Sequence, residues 1–361
     1  MTFRILSLDG GGIRGAFTAS FLAQIESRID GTIGDYFDLV AGTSTGGLIA
    51  IAVAAGIPAN SVVKLYETHG PEIFRPQKNY RARTRAQRLL ISPALRILRP
   101  AARKLLGVRV DDLLQTKYRA EALKAALVEV FADSKVETLR KCRVVIPSVD
   151  ATAGRIVVFK TPHLPNLTRD RHESLVDVLL ATTAAPTYFP HAANSSSGAF
   201  LDGGLWANNP SLVAYTEAMK IKMACTRDVD PQFTPNEVQI FSIGTGEPRY
   251  SLKPPGNQAG LGWWGPKVFD VMSMSQSQGV DCHLRYLLGN RYRRINFDVP
   301  DSSWTLDAIE HLGALVHTGR QTAHDHLAGL IQDFFSEGRP DYAPFEENGE
   351  RTGKIAVASA C

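Results

Sequence analysis

An α/β sandwich with a largely parallel sheet is predicted by three observations. Short β-forming runs alternate with helical patterns along most of the chain. Two of those runs end abruptly in glycine-rich turns that open helices. The helix after the second turn is apolar on every side, as expected of a helix covered on more than one face.

Taken in order, Phe3 to Leu8 reads as the first strand and runs into Asp9-Gly10-Gly11-Gly12-Ile13-Arg14-Gly15. Phe17, Phe21, Ile25 and Ile29 then recur every four residues and predict a helix with one apolar face. A second strand, Tyr36 to Ala41, meets Gly42-Thr43-Ser44-Thr45-Gly46-Gly47. Leu48 to Ala55 follows as the buried helix, stopped by Gly56 and Pro58. Further strands are predicted at Val144 to Val149, Ile156 to Lys160 and Val238 to Ile243, with helices at Tyr118 to Phe131, Leu175 to Thr182 and Leu212 to Met223. From Leu252 the chain reads as irregular and then mainly helical.

The sequence has 361 residues, 44% of them hydrophobic, enough for a sizeable core. The longest apolar run, Leu48 to Ala55, is too short to cross a bilayer. The opening residues lack the basic and long apolar regions of a secretory leader, so none is expected. Cys142, Cys225, Cys282 and Cys361 are scattered and fit reduced thiols in a cytoplasmic protein. No ligand spacing suggests a metal. Net charge is only +4, yet Arg75 to Arg109 holds eleven Lys or Arg and no Asp or Glu. The other 29 basic residues are outnumbered by 36 acidic ones, so one segment reverses the sign of the whole chain.

Gly42-Thr43-Ser44-Thr45-Gly46, between a strand and a buried helix, has the form of a turn that presents a nucleophilic serine. The helix dipole after Ser44 favours a developing alkoxide. Gly10, Gly12 and Gly15 satisfy the spacing of a dinucleotide-binding loop, for which Asp35 or Asp38 could supply the ribose-binding acid. The same loop beside a nucleophile can instead offer successive amides to an oxyanion, and the second strand ends at Ser44 rather than in an acid. Asp202-Gly203-Gly204, followed by Ala207-Asn208-Asn209-Pro210, places a carboxylate in a tight turn. A serine triad completed by His283, His311, His317, His324 or His326 is a further arrangement that the order of residues permits.

These blocks, together with Ala181 to Pro190 and Ser242 to Gly246, resemble the patatin-like phospholipase family. The resemblance runs from residue 5 to 246. It implies a patatin-like three-layer sandwich, with a mostly parallel central sheet flanked by helices. It also implies lipid acyl-ester hydrolysis by Ser44 and Asp202 without a histidine. The oxyanion role falls on Gly10, Gly11, Gly12 and Arg14, and the motif glycines are Gly15, Gly42, Gly46, Gly203 and Gly204. A free aspartate titrates near 4 and is a poor base for a hydroxyl, so the dyad requires surroundings that raise Asp202.

On this reading residues 5–214 form the catalytic segment with a basic insertion at 75–110, and residues 215–361 complete the core strand near 238–243 and add helices. The basic insertion and helical tail further resemble bacterial patatin-like effectors that cyclic dinucleotides switch on during anti-phage signalling. The expected partners are therefore a phospholipid surface, a cyclic dinucleotide activator and a second copy of the chain, with no nucleic-acid polymer. The expected location is cytoplasmic, with peripheral association at the inner membrane. Chemistry should need no cofactor. Pro93 to Leu106 reads as a basic amphipathic helix, and Arg81, Arg83, Arg85 and Arg88 are assigned to anion, ligand or membrane contact. Trp263-Trp264 reads as either a membrane-inserting or a packed loop.

Overall fold

The computed structural model describes residues 2–77, 116–193, 198–224, 237–248 and 268–345. Arg81, Arg83, Arg85 and Arg88, the Pro93 to Leu106 helix, Trp263-Trp264, Cys225 and Cys361 lie outside the described residues.

Apolar side chains on both sides of consecutive residues are the mark of a strand buried on both faces. β1 (Phe3–Leu8) is such a strand, buried at all six positions. It lies at the centre of the sheet, pairing in parallel with β2 (Leu39–Gly42) on one side and β7 (Val238–Ile243) on the other. β3 (Arg143–Asp150) continues the parallel run beyond β2, and β9 (Tyr292–Ile295) continues it beyond β7. β4 (Arg155–Lys160), β5 (Ala192–Ala193) and β6 (Ala199–Asp202) add an antiparallel edge, and β8 (Glu247–Pro248) pairs with Asp298–Val299 apart from this sheet. The sheet is therefore mixed, with a parallel centre.

Side-chain alternation divides the core in two. Leu6, Leu8, Val40, Val144, Phe241 and Ile243 face one layer of helices: α1 (Gly15–Glu26), α2 (Thr45–Ala54), α3 (Ala59–Ile73), α4 (Ala120–Phe131), α5 (Leu175–Thr183) and α9 (Leu312–Phe334). Ile5, Leu39, Ala41, Val145, Val238 and Ile240 face the opposite layer, α7 (Ser211–Ala224) and α8 (Val268–Leu288). A one-residue slip in any of these strands would exchange the two cores, which fixes the register. This is the three-layer α/β sandwich predicted above.

The second strand and the first helix differ from the sequence reading, and β9 adds a sheet strand within the stretch read as mainly helical. The second strand begins at Leu39, not Tyr36, because Thr32 and Asp35 form a capping box around a 3-10 turn over Ile33–Tyr36. A local cap outcompetes the β preference of Tyr36. α1 is buried on nearly all sides rather than along one face, because it is packed between the sheet and α9.

Candidate active site

The site lies beyond the carboxyl ends of the parallel strands, where loops can differ without disturbing the sheet. Between β2 and α2 the chain turns so sharply that Ser44 adopts φ 53°, ψ −121°, a region that non-glycine residues rarely occupy. The turn closes only around glycines. A Cβ on Gly42 would lie 2.1 Å from the Gly46 carbonyl oxygen, and one on Gly46 would lie 2.2 Å from that of Leu8. The strained serine is held from behind: its amide donates to Thr182 Oγ1 at 3.0 Å, and that hydroxyl donates to the Pro147 carbonyl at 2.7 Å. The Ser44 side chain is left at the surface of a cavity.

Strand register brings Asp202 to it. β2 pairs with β3 as far as Ala41 opposite Val145, then turns away. β6 takes over the vacated edge in the opposite direction, with Asp202 opposite Ser148. The end of β6 therefore meets the turn after β2 head-on, and Asp202 stops beside Ser44. Its carboxylate is 1% exposed and accepts the Gly204 amide at 2.6 Å. Burial pushes its pKa up to about 7, although the Gly204 amide and a hydrogen bond from the Ser44 hydroxyl pull the other way. Desolvation thus raises the Asp202 carboxyl into the neutral range. Gly203 and Gly204 open α6 (Gly204–Ala207), and a Cβ on Gly203 would meet the Pro147 carbonyl at 2.3 Å.

The Asp9 to Gly15 loop crosses the same opening. One expectation needs correction: the Gly10 amide donates to the Asn208 carbonyl at 3.0 Å, so it is not available to an oxyanion. Gly11 and Gly12 have no such acceptor among the described residues, which leaves two adjacent amides for that role. Their backbone course excludes side chains. A Cβ on Gly11 would lie 2.2 Å from Thr245 Oγ1, and Gly12, at φ +58°, would place one 2.1 Å from the Leu306 carbonyl. Arg14 lines the cavity, and its charge counters the burial that raises the Asp270 carboxyl. Gly15 sits so close to Thr45 that a Cβ would be 2.2 Å from its hydroxyl.

The loop is anchored through Asp9, which sequence reasoning left without a role. Arg294 on β9 donates to both its carboxylate oxygens, at 3.1 and 2.6 Å, and Ser277 on α8 adds a longer bond at 3.3 Å. Arg294 also donates to Ser242 Oγ at 2.7 Å. Asn208 donates to Ser277 at 3.1 Å, tying the tail behind Asp202 into the same network. Thr245 Oγ1 donates to the Gly10 carbonyl at 2.5 Å. The Ser242 to Gly246 block was a legible signal for part of this support. Arg294 carried none.

The cavity these loops surround measures about 400 Å³. One wall is apolar and comes from α3, α4 and the loop after α5, including Leu65, Ile73, Leu123, Leu127 and Phe189. The rest of the lining is mixed, with Arg14, Glu247, Asp270 and Asn296 alongside Phe269, Met274 and Trp304. None of the histidines among the described residues lines it. His283, His317, His324 and His326 are exposed, and His311 stacks on Trp304 with ring centroids 4.5 Å apart. The acids that a dinucleotide loop would need are also occupied. Asp35 caps the 3-10 turn and pairs with Lys141, and Asp38 accepts the Arg4 amide and faces Arg339. Among the described residues no group of His, Cys, Asp or Glu is arranged to hold a metal ion.

A family profile described as patatin-like phospholipase matches residues 6–215. The chain belongs to this family. It is therefore a lipid-hydrolysing enzyme, and the dinucleotide-binding reading of the Gly10 to Gly15 loop is set aside. Its similarity to a protein of Pseudomonas aeruginosa named cGAMP-activated phospholipase is 35% identity over 313 residues, covering 86% of this chain and 83% of that one. A Vibrio cholerae protein of the same name is 35% identical over 358 residues, covering 92% and 94%. A plant relative, Patatin-like protein 2 of Arabidopsis thaliana, is 30% identical over 370 residues, covering 91% and 84%. The similarity to all three thus extends well beyond the profile, into the half of the chain that supplies Arg294. No helix among the described residues is long and apolar enough to cross a membrane.

Proposed function

We propose that this patatin-like enzyme is a phospholipase A-type serine hydrolase that uses Ser44 as nucleophile and Asp202 as base. The observation that carries the reading is a fully buried carboxyl, raised to about 7, beside a strained serine on a cavity wall. With its pKa near neutrality, Asp202 can accept the Ser44 proton as Oγ attacks the acyl carbonyl. The Gly11 and Gly12 amides face the charge that develops on the carbonyl oxygen. As the tetrahedral intermediate collapses, the ester C–O bond breaks and Asp202 returns the proton to the departing lysophospholipid oxygen. Water, deprotonated by Asp202, then attacks the acyl-enzyme and releases the fatty acid.

The apolar wall suits an acyl chain, and Arg14 supplies a positive charge for the phosphate of a headgroup at a membrane surface. Close similarity to two cGAMP-activated phospholipases supports activation by a cyclic dinucleotide. Degradation of bacterial membrane during phage defence, with peripheral association at the inner membrane, would follow from that control. In this arrangement residues 5–214 carry the chemistry, and residues 215–361 brace it through β7, α8 and β9. The decisive experiment compares lipid extracts of membranes treated with wild type and Ser44→Ala, with and without cGAMP. Free fatty acid and lysophospholipid should appear only with wild type plus nucleotide. Equal release by Ser44→Ala ends the serine-hydrolase reading, and nucleotide-independent release by wild type ends the activation reading.

A further inference from the structure

Leu306 and Asp307 belong to a loop that no motif singles out, yet this loop lies directly against the oxyanion segment. The Leu306 carbonyl accepts the Ile13 amide at 2.8 Å and overhangs Gly12 closely enough to forbid a Cβ there. The position of the Gly11 and Gly12 amides is therefore set partly by where Leu306 sits. Leu306 in turn is fixed by its neighbour. Asp307, whose side chain is 5% exposed, accepts the Tyr118 hydroxyl at 2.5 Å and Thr305 Oγ1 at 2.7 Å, and it pairs with Lys117 Nζ. Burial works to raise this carboxyl, but the Lys117, Tyr118 and Thr305 bonds outweigh it and hold Asp307 below the ordinary aspartate range. It is a committed anion.

The other end of the clasp belongs to the apolar wall. The Lys117 and Tyr118 amides donate to the Thr187 and Tyr188 carbonyls at 2.9 and 2.8 Å, and the Tyr118 ring packs against Phe74 and Phe189. The next residues begin α4, which carries Leu123 and Leu127 into the cavity. Gln77 is joined to the same stretch by its amide, 3.0 Å from the Lys117 carbonyl. One carboxylate thus links the wall that would hold an acyl chain to the loop that would hold the oxyanion.

We propose that Asp307 is a positioning residue for hydrolysis: through Leu306 it sets the Gly11 and Gly12 amides, and through Lys117 and Tyr118 it couples them to the acyl wall. The proposal rests on the Ser44 reading above. A group that acts only on transition-state geometry changes turnover more than substrate affinity. Three measurements separate this from a structural role, all made on the full chain under conditions that saturate wild-type turnover. They are kcat and KM on a short-chain ester, the rate of labelling by a fluorophosphonate, and equilibrium binding of a non-hydrolysable ether phospholipid.

Asp307→Ala should lower kcat and the labelling rate by about 10- to 100-fold, less than the roughly 10²- to 10³-fold of a lost oxyanion donor, because the amides are displaced and not removed. KM and ether-lipid binding should change less than about 3-fold. Because Asp307→Ala could unfold the loop, Tyr118→Phe provides the milder case. It keeps the ring packing, removes one hydrogen bond, and should lower kcat several-fold with an unchanged melting temperature. Asp307→Glu should recover part of the loss. The inference is overturned if Tyr118→Phe and folded Asp307→Ala both turn over at the wild-type rate. It is also overturned if kcat and ether-lipid affinity fall together by the same factor. Ser44→Ala run alongside tests the underlying reading: loss of labelling there sustains it whatever Asp307 does.

Discussion

Arg294 grips Asp9 with two hydrogen bonds, at 3.1 and 2.6 Å, and the side chains of both residues are 3% exposed. The pair links the last strand of the sheet to the residue before the Gly10 to Gly12 loop, 285 positions away in sequence. Removing one partner of such a pair strands the other charge in a medium that cannot solvate it. Arg294→Met should therefore cost roughly 3–5 kcal/mol of unfolding free energy. Activity should be lost even in the folded fraction. Denaturant unfolding and turnover, measured on the same sample, check both parts; a stable and active Arg294→Met would remove the anchoring role from this pair.

Ser44→Ala and Asp202→Asn should each reduce ester hydrolysis on the order of 10³-fold or more, and the double variant should be little worse than either. Fluorophosphonate labelling should disappear in Ser44→Ala. Replacement of His283, His311, His317, His324 or His326 by Ala should leave turnover near wild type. If one of these histidines proved essential in a folded protein, the dyad would give way to a triad.

The raised Asp202 carboxyl makes two pH predictions of opposite sense. As a base it must be ionised, so kcat/KM should rise with pH and reach half its maximum near 7 rather than near 4. For stability the sign reverses. Between the ordinary aspartate value of 3.8 and about 7 the folded state holds a proton that the unfolded state releases, so this group lowers stability progressively as pH rises through that window. Asp202→Asn keeps an acceptor for the Gly204 amide and removes the buried charge. It should be inactive yet more stable than wild type at pH 8, by roughly 2–4 kcal/mol, with little difference at pH 4. Melting curves at both pH values decide it.

Gly11→Ala would push a methyl group into Thr245, whose hydroxyl holds the Gly10 carbonyl. Turnover should fall about 10²- to 10³-fold, as for loss of an oxyanion donor, with ether-lipid binding nearly intact. Equal losses in binding and turnover would assign the loop a purely structural part.

For the basic segment, replacing Arg81, Arg83, Arg85 and Arg88 by Gln removes four of its eleven positive charges. If the segment meets lipid, binding to anionic vesicles should weaken, while hydrolysis of soluble short-chain esters changes less. If it holds an activating nucleotide, both substrates should lose nucleotide-dependent turnover. Unchanged vesicle binding and unchanged activation would dismiss both roles.

The sequence by itself determined the architecture and singled out Ser44 and Asp202. Alternating β and helical runs require layers. Turns such as Gly42 to Gly46 admit no side chain at the close approaches, so glycine spacing reports backbone geometry directly. Ser44 and Asp202 were legible because each sits in such a turn. The tertiary structure decided what those residues can do. No pattern near Asp202 states that its carboxyl is desolvated; that follows from β6 occupying the edge that β2 leaves. Nor does the Gly10 to Gly12 run reveal that the Gly10 amide is spent on Asn208. Arg294 and Asp307 were invisible for the same reason. Each acts on a loop hundreds of positions away in sequence, through hydrogen bonds that exist only once the sheet and its covering loops have closed. Local sequence encodes backbone conformation, whereas desolvation and long-range polar contacts are properties of the assembled fold.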